Sequence, residues 1–236
     1  MGRAFEFRKN RKMKRWDAMA KAFTKFGKEI AIAVKQAGPD ADTNPRLRIA
    51  IQNAKGVNMP KDRIENAIKK ASSKDEKDFQ EILYEGYGPH GIAIAVECAT
   101  DNPTRTVANI RAYFNYAGGS LGTTGSLDFM FTRKGVFKIL SSAIPNKEDF
   151  ELEMIDFGLE EIVANEEELL LYTSFVDFSK MQKALEEKSF AVTSAELHRF
   201  PTTTKELTEA QEEELADLID KIEEDEDVQA VYHTMK

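Results

Sequence analysis

A single cysteine, Cys98, stands in a chain of 236 residues. Neither an internal disulfide nor a cage of zinc-binding thiolates is therefore available, and a reducing, cytosolic compartment is expected. Histidine is almost as scarce: His90, His198 and His233 are far apart and show no H-x-x-x-H spacing, which argues against a three-ligand metal site. No apolar run approaches the ~20 residues that cross a bilayer, and no apolar stretch follows the basic N-terminus as in a secretory signal, so neither a membrane span nor export is expected. The G-x-S-x-G elbow and the Gly-Lys-Ser/Thr phosphate loop are missing too. Gly119, Gly122 and Gly125 recur at three-residue spacing, but they follow a helical pattern and precede a strand pattern. That is the reverse of a dinucleotide-binding context and reads as a tight backbone turn or binding loop. Nothing pairs a nucleophile with a base. The expectation is a protein that is not an enzyme, with no cofactor, no metal and no small-molecule substrate.

Charge is abundant, and it is divided. Of 33 Lys+Arg and 41 Asp+Glu, residues 1–70 hold 18 and 7, leaving 15 and 34 for the remainder. Asymmetry of this kind points to separate modules with separate partners. A polyanion attracts one end of such a molecule and repels the other, which orients it.

The basic part reads as helices. From Trp16 to Ala37 the residues Trp16, Met19, Phe23, Phe26, Ile30, Ala33, Val34 and Ala37 recur at three- and four-residue steps, on one side of a helix. Lys21, Lys25, Lys28 and Lys35 fall on the opposite side. Gly38-Pro39 ends the pattern. A second helix starts at Asn44-Pro45, with a capping residue followed by proline where its missing N–H costs nothing; Leu47, Ile51 and Ala54 form its buried stripe, with Arg46, Arg48 and Lys55 as its cations. A third follows Met59-Pro60, with Ile64, Ala67, Ile68 and Ala71 inward and Lys61, Lys69 and Lys70 polar. Ahead of all three lies an arm carrying Arg3, Arg8, Lys9, Arg11, Lys12, Lys14 and Arg15, seven cations in thirteen residues. A phosphate backbone is their natural counter-surface, and neutralising it releases condensed counterions. Phe5 and Phe7 within the arm either stack on unpaired bases or dock the arm on the bundle.

Beyond a polar linker at 72–77 the pattern changes to α/β. Residues 91–99 alternate, with Ile92, Ile94, Val96 and Cys98 on one face, predicting a half-buried strand with the thiol in the core. A helix follows Thr100-Asp101-Asn102-Pro103, and Leu127, Phe129 and Phe131 predict another strand. From Gly135 to Arg199 the order is β-α-β-β-α-β, the ferredoxin-like arrangement. Thr208 and Gln211 then form a capping box for a helix with Leu215, Leu218, Ile219 and Ile222 inward, and Val228–Tyr232 is a last strand. The acidic runs 212–214 and 223–227 read as solvated faces. The fold expected is α+β and multidomain: an N-terminal three-helix bundle with its basic arm (1–76), an α/β domain (77–132 plus 201–236), and a second, ferredoxin-like α/β domain (133–200) inserted in the first.

These segments resemble the YebC/PmpR family. The resemblance is carried by Thr43-Asn44-Pro45-Arg46-Leu47-Arg48, Asn53-Ala54-Lys55, Asn58-Met59-Pro60-Lys61-Asp62, Ile64-Glu65 and Ala67-Ile68-Lys69-Lys70. It continues through Tyr84-Glu85-Gly86-Tyr87-Gly88-Pro89, Thr100-Asp101-Asn102 with Arg105-Thr106, and Gly118-Gly119, Leu121-Gly122 and Gly125-Ser126. It spans essentially the whole chain and is densest between residues 43 and 70. The family's common opening, Gly-His-Ser-Lys-Trp, is replaced by Gly2-Arg3-Ala4-Phe5-Glu6, so contacts of that opening are not carried over. Pro103-Thr104 likewise replaces a more polar stretch. The resemblance implies three domains and cytoplasmic DNA-binding transcriptional regulators; relatives have also been connected with the ribosome as translation factors or activators. Two partners follow as expectations: DNA, bound through phosphate contacts of the basic bundle, or ribosomal RNA on the ribosome, with the acidic domains against basic ribosomal proteins.

Overall fold

The computed structural model describes residues 3–73, 78–165 and 167–236, with side chains from residue 19 onward. The chain divides into two units, one ending at Phe79 and the other beginning at Gln80. The first unit consists of α1 (Arg3–Ala37), α2 (Pro45–Gly56) and α3 (Lys61–Ala71). Helix α1 starts at Arg3, so the stretch expected as an arm is backbone-helical and continuous with the helix expected from Trp16. The reason is local: neither glycine nor proline occurs between Arg3 and Phe26, and the Ala, Arg, Lys and Met residues there favour the helix.

The turn between α1 and α2 explains the density of motif residues there. Gly38 takes a left-handed φ of 91° and its N–H closes on the Val34 carbonyl at 2.8 Å. Asn44, buried, then serves both helices. Its Oδ1 accepts the Leu47 N–H at 3.0 Å, capping α2, while its Nδ2 donates to the carbonyls of Ala33 at 2.7 Å and Gly38 at 2.8 Å. Orphan groups of one helix end and one helix start are thus satisfied by a single amide. The core beneath joins Phe26, Ile30, Ala33 and Val34 to Leu47, Ala50, Ala54, Met59, Ile64 and Ala71. Each fully buried Ile or Leu there contributes roughly 1.5–3 kcal/mol.

The second unit carries two four-stranded antiparallel sheets. The first has the order β3-β1-β2-β8, from β1 (Gln80–Tyr87), β2 (Ala93–Thr100), β3 (Ser120–Leu121) and β8 (Val228–His233). Helices α4 (Pro103–Tyr116) and α7 (Glu209–Glu223) pack on it through Ile110, Phe114, Leu215, Leu218 and Ile222. The second sheet uses only the residues between: β4 (Phe131–Leu140), α5 (Lys147–Ile155), β5 (Leu159–Asn165), β6 (Glu168–Ser174), α6 (Phe178–Glu187) and β7 (Val192–Pro201). Its order, β5-β6-β4-β7, is that of a ferredoxin-like sheet read from the second strand. The first sheet differs in having the β1–β2 hairpin at its centre.

Three local expectations are corrected. Strand β2 is enclosed on both faces: Ile92, Ile94, Val96 and Cys98 meet α4 and α7, while Ala93 and Ala95 meet Leu127 and Phe131. Small side chains are needed on that second face because another layer lies close. Leu127, Phe129 and Phe131 do not form one strand; a 3-10 turn at Asp128–Met130 keeps Leu127 and Phe131 buried, rotates Phe129 outward, and β4 begins at Phe131. Finally, the acidic run ending at Asp227 is not wholly a solvated face. Asp225 accepts from Asn109 and the Tyr113 hydroxyl. Buried Asp227 accepts from Thr100 Oγ1 at 3.0 Å, Thr106 Oγ1 at 2.8 Å and Arg105 Nη2 at 2.6 Å. This cluster ties α4 to the turn before β8.

Candidate nucleic-acid interface

The bundle sorts its cations into groups with different work to do. The side chains of Arg3, Arg8, Lys9, Arg11, Lys12, Lys14 and Arg15 lie outside the described residues. Lys21 is exposed on α1, Lys55 on the last turn of α2, and Lys61, Lys69 and Lys70 on α3. Lys61 also reaches Glu65, one turn on, at 3.5 Å. In water such an exposed pair contributes only ~0.2–1 kcal/mol, so it gives way readily to a phosphate.

Other predicted contacts are engaged within the bundle. Arg48 Nη1 donates to the Ala41 carbonyl at 2.9 Å and the Asp42 carbonyl at 3.2 Å, and Arg46 Nη1 donates to Gln36 Oε1 at 2.8 Å. Both arginines therefore brace the α1–α2 turn. On α1 the predicted lysine row changes character along its length. Lys25 lies over the Phe26 ring at 5.5 Å, and Lys28 over Phe79 at 5.4 Å. Lys35 donates to the Ser73 carbonyl and pairs with Asp78 at 3.1 Å. Ile32, which helical geometry places within this row, is buried. Ser73, Asp78 and Phe79 thus occupy the C-terminal part of the row, and Lys21 is exposed.

Arg63 is a cation that the periodicity reading passed over. It is exposed on α3, its guanidinium lies 5.6 Å from the centre of the Phe23 ring, and it precedes Lys70 by seven residues, which puts both on one helix face. That i, i+7 spacing was the available signal.

The glycine-rich segment of the second unit is shaped by backbone approach. A Cβ on Gly119 would stand 2.4 Å from the Tyr87 carbonyl oxygen, and one on Gly86 2.5 Å from that of Ser120. The Gly122 N–H donates to the Glu85 carbonyl at 2.7 Å, and the buried Glu85 carboxylate accepts the Gly125 N–H. Among the described residues, no three His, Cys, Asp or Glu side chains gather as metal ligands. None of the helices among them is long and apolar enough to cross a membrane.

Residues 3–74 match the model of the TACO1/YebC protein N-terminal domain, and residues 79–235 match that of the TACO1/YebC second and third domain. A relative from Porphyromonas gingivalis, named "Probable transcriptional regulatory protein", is 58% identical over all of this chain and 98% of its own length. A relative of the same name from Cytophaga hutchinsonii is 59% identical, again over 100% of this chain and 98% of its own. The crystal structure of a conserved hypothetical protein from Aquifex aeolicus superposes with a TM-score of 0.79 at 33% identity, covering 92% of this chain and 90% of that one. From the helical bundle to the last strand, this chain belongs to the TACO1/YebC family.

Proposed function

We propose that this protein is a cytoplasmic, non-enzymatic regulator that binds nucleic acid through its helical bundle, with DNA as the partner and transcription as the process regulated. The observation that carries this reading is the concentration of 18 Lys+Arg against 7 Asp+Glu in residues 1–70, with Lys21, Lys55, Lys61, Lys69 and Lys70 exposed on a packed bundle. The names of the relatives support the regulatory part. Phosphate contacts dominate, because they need only positioned cations, whereas base readout needs side chains aimed into a groove. Arg46 and Arg48 hold the α1–α2 turn through their own hydrogen bonds.

A second reading, engagement of ribosomal RNA on the ribosome, is favoured by the acidic remainder of the chain. A protein that binds only DNA gains little from so large an opposing charge, whereas a ribosome offers basic proteins beside its RNA. Fluorescence anisotropy with duplex DNA between 50 and 200 mM salt tests the shared claim. Affinity should fall steeply with salt, and replacing Lys21, Lys69 and Lys70 by Gln should weaken binding and flatten the slope. A salt-independent affinity, or no binding of any nucleic acid, counts against both readings. Co-sedimentation with ribosomes that those three substitutions abolish favours the second.

A further inference from the structure

At one end of the second sheet the second unit exposes side chains that a folded surface usually hides. Phe129 is 71% exposed, Phe175 47% and Val176 85%. They are held, not trailing. Lys134 pairs with Ser174 and Phe131 with Pro201, so the start of β4 and the end of β6 are neighbours, and Phe129, Arg133, Phe175 and Val176 share that end. Thr202 Oγ1 donates to the Phe129 carbonyl at 3.3 Å and the Met130 carbonyl at 3.2 Å. Ser174 Oγ donates to Asp177 at 2.8 Å and accepts its N–H at 3.1 Å, fixing the turn that carries Phe175. The guanidinium carbon of Arg133 lies 4.3 Å from the centre of the Phe175 ring. Among the described residues no carboxylate stands within ion-pair distance of Arg133, in contrast to Lys134 with Glu160, Lys188 with Glu153 and Arg199 with Glu97.

From this arrangement we propose a second contact point for nucleic acid: the end of the second sheet bearing Phe129, Arg133 and Phe175 stacks unpaired bases of a single strand. This rests on the nucleic-acid-binding reading above and adds which form of nucleic acid the acidic unit accepts. Aromatic faces and guanidinium planes are the surfaces on which splayed-out bases stack. The surrounding acidic unit disfavours the dense phosphate track of a duplex. One or two unpaired bases bring few phosphates, and Arg133, held over the Phe175 ring and without a carboxylate partner among the described residues, lies beside them to meet one.

The test uses the full chain and two labelled probes, a 16-nucleotide oligouridine and a duplex DNA of equal length, titrated by anisotropy at several salt concentrations. Phe129→Ala combined with Phe175→Ala is expected to weaken oligouridine binding about tenfold or more, with the salt slope and duplex affinity unchanged, because no phosphate contact is removed. Phe175→Trp, which keeps a stacking face, should restore affinity in the Phe129→Ala background, and melting temperatures confirm folding. Unchanged oligouridine affinity in the double alanine variant overturns the proposal and leaves the patch as a protein-docking surface; an equal loss on both probes, or an altered slope, overturns it too. Failure of the bundle reading is seen separately, as the lack of any effect of Lys21, Lys69 and Lys70 replacement on the duplex.

Discussion

At the scale of single residues, the most constrained positions are polar and buried. Asn44 is a capping residue by type, and proline after it marks the helix start. Its two further bonds to the carbonyls of Ala33 and Gly38 are invisible to pattern, since every residue has a carbonyl. Asn44→Ala should destabilise the bundle by about 2 kcal/mol, from a lost cap and stranded carbonyls, measured by urea unfolding. Asp227→Ala strips a buried acceptor from two threonines and Arg105 and should cost about 3 kcal/mol in the second unit. His233 gives a pH signature. Burial lowers its pKa, opposed by its bond with the Met235 backbone and by Glu223. The unfolded chain therefore takes up the proton at higher pH than the folded one. Stability is complete above about pH 6.5 and declines as pH falls through the depressed folded value. Urea midpoints measured from pH 7.5 to 5 should show this decline, and His233→Gln should reduce it.

At the scale of elements, helical periodicity located all three bundle helices, and Pro45, Gly38 and Pro60 located their ends. Periodicity does not say where a helix begins when no breaker precedes it, which is why α1 runs back to Arg3. Strand β2 teaches the converse. Its alternation of large and small apolar residues reads as one buried and one open face, but Ala93 and Ala95 are small because Leu127 and Phe131 lie above them. Ala95→Leu should therefore cost about 1–3 kcal/mol by overpacking, whereas an open face would tolerate it; thermal melts decide. Gly119→Ala should likewise destabilise the first sheet, its Cβ meeting the Tyr87 carbonyl, with loss of amide protection in β1 as the readout.

At the scale of the whole molecule, the division of charge is the property on which the proposed function rests. A cluster of exposed cations on a folded bundle meets a polyanion without any refolding of its backbone, so the ordering cost of binding falls on the lysine side chains. If Lys21, Lys55, Lys61, Lys69 and Lys70 each meet one duplex phosphate, the plot of log affinity against log salt should have a slope of about −4.5. Contacts from the side chains of residues 3–18 would steepen it. A slope shallower than about −2 would mean that fewer than half of these lysines touch the backbone.

Sequence by itself determined the helices of the bundle, the β-α-β-β-α-β order of the second sheet, the segregation of charge and the family, because each is written in local spacing or composition. Tertiary structure alone decided which cations face solvent. Arg46 bonds to Gln36 and Arg48 to the Ala41 carbonyl around the α1–α2 turn, and Lys35 closes on Asp78, forty-three positions along the chain. It also decided that Asp227 leaves an acidic run to join Thr100, 127 positions away in the chain. A side chain's charge is a property of its type, whereas its availability depends on what the fold brings within three ångströms of it.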